Sequence, residues 1–142
     1  MNPFLKEVAE DLVAKFENSE NPDIFAAVAN YYADEADPKR YDWFEKKMSQ
    51  FSGLDLYRTM GTFGAYLVKS SLEIQAKSFP FLEKIALKDQ QYYVRFMATQ
   101  TLALMATGGE PHNQEVKKII KNIAAKEKDP HLVKAYESLK DL

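Results

Sequence analysis

Cysteine is missing from this sequence altogether. Its absence excludes disulfides, thiolate nucleophiles and thiolate metal sites together, and leaves the redox compartment open. Histidine is nearly missing too, with only His112 and His131. A zinc hydrolase of the His-Glu-x-x-His kind needs two imidazoles one helical turn apart. These two stand far apart, each near a helix start, where a solvated group or a cap neighbour is the ordinary role. Glycine is sparse, and no Gly-x-x-x-x-Gly-Lys-Ser/Thr loop or Gly-x-Ser-x-Gly turn occurs. Gly61-Thr62-Phe63-Gly64 falls within a helical pattern, where small residues allow close helix packing.

Long apolar runs are lacking as well. The longest, Ile24 to Ala29, falls far short of the roughly 20 residues that span a bilayer, so no membrane span is expected. Met1 to Glu7 shows neither the basic start nor the apolar stretch of a secretory signal, and the compartment stays unassigned. Nor is there a strong excess of one charge. The chain carries 19 basic and 21 acidic residues, with the acidic surplus confined to residues 1–60. A nucleic-acid surface needs concentrated Lys and Arg, so nucleic acid is not an expected partner.

What is present points to helices. Apolar residues make up 46% of the 142 and charged residues 28%, a globular balance in a chain long enough for one domain, 1–142. An Asx-Pro pair recurs at Asn2-Pro3, Asn21-Pro22, Asp37-Pro38 and Asp129-Pro130. The Asx side chain caps free backbone N–H groups, and proline at the first helical position gives up no needed donor. Apolar residues with a 3.6-residue period follow each pair. The stripes are Leu5, Val8, Leu12 and Phe16; Ile24, Phe25, Val28 and Tyr32; and Tyr41, Phe44 and Met48. Leu56, Met60, Phe63 and Leu67 form a fourth after Ser52-Gly53.

A fifth segment, near 71–87, contains Pro80, which predicts a kink or break at Ser78 to Phe79. The sixth, near 91–107, is apolar around most of its girth and is expected to pack on several sides. Gly108-Gly109 and Pro111 stop it. Val116, Ile119, Ile120 and Ile123 mark a seventh, and Leu132, Val133, Tyr136 and Leu139 an eighth. Ile85-Ala86-Leu87-Lys88-Asp89 is echoed by Ile123-Ala124-Ala125-Lys126-Glu127, a spacing near that of a two-helix HEAT-class repeat. The expected fold is all-α: a right-handed α-α superhelix of about eight antiparallel helices in HEAT-like pairs.

Few residues suggest chemistry. Asp34, Glu35 and Asp37 read as loop carboxylates, with Asp37 a cap, because no EF-hand spacing accompanies them. Trp43, Tyr31, Tyr32, Tyr41, Tyr57 and Phe51 read as core and inter-helix filler, with an exposed subset able to mark a docking face. Arg95 stands out in Tyr92-Tyr93-Val94-Arg95-Phe96. It either reaches water or a carboxylate, or faces a cavity and grips an anionic group. No catalytic residue and no metal ligand is assigned.

Two stretches, SFPFLEKIALKDQQYYVRFMATQTLALMA (78–106) and HNQEVKKIIKNIAAKEKDPHLVKAYESLKDL (112–142), carry a resemblance, with a looser one over 21–48. They resemble the C-terminal helical domain of the gluzincin (family M1) zinc aminopeptidases of the leukotriene A4 hydrolase-like kind. The resemblance implies a non-catalytic C-terminal fragment of a longer enzyme, packed against a catalytic domain and shaping its cleft. The zinc and the catalytic glutamate would then lie in that other domain, with no cofactor in this chain. It also implies that Arg95 could face a substrate carboxylate, although the family's Gly-Arg-x-Lys-Phe pattern is altered here: Val94 replaces the glycine and the lysine is absent. The alternative expectation is a freestanding HEAT-like scaffold for a protein or peptide ligand.

Overall fold

The computed structural model describes residues 2–106 and 112–141. Its regular elements are all helical: α1 (Pro3–Phe16), α2 (Pro22–Glu35), α3 (Tyr41–Gln50), α4 (Gly53–Lys69), α5 (Leu72–Lys88), α6 (Tyr92–Ala106), α7 (His112–Lys126) and α8 (Pro130–Tyr136). Short 3-10 turns precede α3 at Pro38–Arg40 and follow α8 at Glu137–Asp141. No strand occurs among the described residues. The fold is all-α. The glycine and proline stop between α6 and α7 lies outside the described residues.

All four Asx-Pro pairs cap as their chemistry demands. Side-chain oxygens of Asn2, Asn21, Asp37 and Asp129 accept from the backbone N–H two residues on, at 2.8–2.9 Å. Each such cap stabilises its helix by about 1 kcal/mol. At Asp37 the cap starts a 3-10 turn that runs directly into α3.

Pro80 does not break its helix. The chain stays helical from Leu72 to Lys88. Phe79 and Leu82 on either side are buried, and the Ser78 hydroxyl donates to the Gln75 carbonyl at 2.6 Å. Packing of the flanking turns holds the segment despite the missing donor.

The helices share one core: α2 packs on α4, α4 on α6, and α6 on both α5 and α7. Between them lie Tyr32, Tyr41, Phe44, Phe63, Tyr66, Leu67, Phe79, Leu82 and Leu102, all almost fully buried. The rings of Phe25, Trp43, Phe44, Phe63 and Tyr66 are linked by centroid distances of 4.9–5.5 Å. Such pairs contribute about 0.5–1.5 kcal/mol each beyond burial. Tyr32 and Trp43 also reach Glu17, at its carboxylate and its carbonyl respectively, and so tie the end of α1 to the core.

Helix α1 itself buries none of its side chains. Its apolar stripe faces outward, with Phe4 69% and Leu5 58% exposed and Val8, Leu12 and Phe16 alongside.

Candidate functional site: an uncharged aromatic face on α4 and α6

Helices α4 and α6 lie side by side and run the same way. Tyr57 meets Tyr93 near their starts, at 5.8 Å between ring centroids, and Gly64 faces Thr101 two turns further on. At the upstream end a cleft of about 520 Å³ is lined by Leu54 and Tyr57 of α4, Tyr92, Tyr93 and Phe96 of α6, and residues of α8 that include His131. Downstream, a second hollow of about 360 Å³ lies between Gly61 and Gly64 on one side and Met97, Gln100 and Leu104 on the other. Neither lining contains a Lys, Arg, Asp or Glu, in a chain where 28% of residues are charged. Charge begins at its edge, where the exposed Arg58 stands between Leu54 and Gly61 in the helical register of α4. The only charged residue of α6, Arg95, points away from it, towards α7.

Seven of the eight tyrosines fall into two groups by what their hydroxyls do; the eighth, Tyr31, has its hydroxyl buried with no hydrogen-bond partner among the described residues. Tyr32 donates to Glu17, Tyr41 to the Lys77 carbonyl, Tyr66 to the Asp37 carbonyl and Tyr136 to Thr99. These four are buried, and their phenols are held protonated above the usual tyrosine range, chiefly by desolvation. Tyr57, Tyr92 and Tyr93 bond to no other group among the described residues through their hydroxyls, and all three line one cleft. Their rings form a continuous run: Tyr57 edge-on to Tyr93, Tyr93 edge-on to Tyr92 at 5.7 Å, and Tyr92 stacked on the His131 ring at 4.4 Å.

Arg95 sits on the opposite side of α6, beside a separate shallow cleft of about 410 Å³. Its Nε and Nη2 donate to both oxygens of Glu127 at 3.1 and 3.0 Å, and Nη1 donates to the Asp89 carbonyl at 2.7 Å. Asp129 stands 3.7 Å from Nη2. The Glu127 hydrogen bonds hold the guanidinium above its usual range. The carboxylate-pairing role is therefore filled from within the chain. Asp89 and Glu127, the matching ends of the two echoed sequence segments, are brought together by this one side chain.

His112 is buried rather than solvated: its Nε2 lies 3.0 Å from the Leu72 carbonyl, and its ring packs edge-on against Phe79. His131 is exposed and sits 2.9 Å from its cap neighbour Asp129. Of the acidic trio, Asp37 caps, Asp34 pairs with Lys69 and Glu35 with Lys6. Among the described residues, no group of three His, Asp or Glu is placed to hold a metal ion. Gly64 packs against α6, yet an added methyl there would reach Thr101 only at an ordinary 3.6 Å, and at Gly61 it would meet nothing.

No family model matches the chain, and no curated protein or solved structure does either.

The tyrosine cleft joins residues 57, 92–93 and 131, which no local motif connects. A partial signal was present in the sequence: across the sixth segment, from Tyr92 to Ala106, Arg95 is the one charged residue.

Proposed function

We propose that this chain is a non-catalytic helical domain that binds a protein or peptide through the face built by α4, α6 and α8. The observation that carries this reading is the clustering of unspent tyrosine hydroxyls within an uncharged lining. Aromatic residues are enriched and charges depleted at the centres of protein interfaces, and a monomer's uncharged, partly apolar patch marks an interaction site. The HEAT-like pairing of α5–α6 with α7–α8 belongs to this reading. Its support is the echo at the two turns that Arg95 joins.

Selection from a phage-displayed random-peptide library tests it, with the Leu54→Arg variant as counter-target. That substitution changes a cleft-lining side chain that is 56% exposed, so it blocks the cleft without disturbing the core. Peptides that bind the parent chain and lose the variant are expected. Peptides that bind both equally, or no enrichment at all, would sink the reading.

A second, finer reading makes the partner the catalytic domain of a gluzincin zinc aminopeptidase. Its support is the resemblance over residues 78–106 and 112–142, together with the second uncovered apolar surface on α1. A His-Glu-x-x-His stretch upstream in the same coding frame is its expected signature, and a frame without one removes it. Under either reading, chromogenic aminoacyl substrates should show no turnover by this chain, with or without added zinc. Metal-dependent hydrolysis by the chain alone would overturn the non-catalytic assignment.

A further inference from the structure

The tyrosine cleft has a donor–acceptor character that restricts its ligand. Three hydroxyls at its surface are free to donate, and its walls are aromatic rings with Leu54, Leu132 and Ala135. It holds no carboxylate to balance a cation and no Lys or Arg to hold an anion. The complementary ligand is uncharged, rich in carbonyl acceptors, poor in N–H donors, and apolar where it lies on the rings.

We infer that the cleft binds a proline-rich segment in the polyproline II conformation. Such a segment has tertiary amides without N–H groups, leaves its carbonyls unpaired, and is pre-ordered before it binds. Grooves lined with aromatic side chains recognise it by packing prolyl rings against their exposed aromatic surfaces. The ring run from Tyr57 through Tyr93 and Tyr92 to His131 advances in steps of 4.4–5.8 Å. At ~3.1 Å per residue it accommodates roughly four to five residues of ligand.

The inference rests on the proposed function and names the class of partner. Its test is a titration of the full chain, followed by amide NMR, with an acetylated, amidated octaproline. A Gly-Ser peptide of equal length and a trimethyl-lysine peptide serve as comparisons. Octaproline is expected to shift amides around residues 54–57, 92–96 and 131–135, and the comparison peptides are not. Tyr92→Ala removes a ring that is 37% exposed and is expected to weaken binding at least fivefold while the helical far-UV spectrum stays unchanged. Tyr93→Phe removes one donor alone and is expected to weaken binding roughly threefold to tenfold, the worth of one hydrogen bond.

Shifts elsewhere on the molecule, equal binding of the Gly-Ser peptide, preference for trimethyl-lysine, or indifference to Tyr92→Ala would each overturn the inference. If library peptides bind this face while octaproline does not, only the ligand class falls. If nothing binds, the proposed function falls with it.

Discussion

Arg95 and Glu127, 32 residues apart in the chain, form a two-pronged ion pair that fastens the α5–α6 turn to the α7–α8 turn. The side chains are only 13% and 5% exposed. Glu127 Oε1 also accepts from the backbone N–H groups of Lys128 and Asp129, so one carboxylate serves both a turn and a cation.

Removing that carboxylate should be costly. Glu127→Ala leaves a largely buried guanidinium with Asp129, at 3.7 Å, as its remaining carboxylate, and breaking such pairs costs up to roughly 3–5 kcal/mol. Urea unfolding gives the number. A double variant, Arg95→Met with Glu127→Met, is expected to be more stable than Glu127→Ala because no buried charge is stranded. It should still fall short of the parent, since two turn N–H groups lose their acceptor. A loss below about 1 kcal/mol for Glu127→Ala would show that the pair does not hold the turns.

Three glycines should respond differently to alanine. Gly61 lies mid-helix with open space above it, so Gly61→Ala should raise stability by roughly 0.5–1 kcal/mol. Gly53 has φ +59°, and a side chain there should cost roughly 1–2 kcal/mol. Gly64→Ala should lie close to neutral, because the propensity gain is set against a new contact with Thr101. Thermal melts of the three variants provide the order, and stabilisation by Gly53→Ala would contradict the backbone geometry.

Alkaline pH should unfold the chain through its buried phenols. Burial and the Glu17 hydrogen bond push Tyr32 up to about 12, and burial raises Tyr41, Tyr66 and Tyr136 as well. A phenol raised on folding favours the native state fully below its unfolded value near 10. That contribution drains away as pH climbs from there through the folded value. Stability measured from pH 9 to 12 should therefore hold and then fall steeply above 10. Tyr32→Phe, which has no proton to lose, should make the fall shallower. Tyrosinate absorbance at these positions that develops fully before the helices melt would contradict this.

Much of the fold was legible because its signals are local. An Asx-Pro cap acts within three residues, and a stripe with a 3.6-residue period needs only one helix, so the helices and their starts could be read in order. Features set by tertiary packing were not. Pro80 reads as a kink or a break, and the break is ruled out only when Phe79 and Leu82 are seen anchored in the core with the helix running on to Lys88. His112 reads as a surface group until α7 is laid against the start of α5. The stripe on α1 has the same periodicity as the buried stripes, yet nothing in its own spacing reports that no helix covers it. The tyrosine cleft was the least legible feature. Tyr57 and Tyr93 are ordinary core-forming residues in sequence, and only the parallel side-by-side packing of α4 and α6 sets their rings together.

The outward stripe of α1 has a consequence for how the chain comes apart. With its own side chains unburied, this 14-residue helix draws little from tertiary packing, and isolated helices of that length are marginal in water. Its tethers are the Glu17 end, gripped by Tyr32 and Trp43, the partly buried Val13 and the exposed Lys6–Glu35 pair. Amide exchange should thus strip the first fifteen residues while the remainder stays protected. In isolation the molecule is expected to be a firm block with an easily unravelled arm, and a surface laid along that arm is expected to hold it helical.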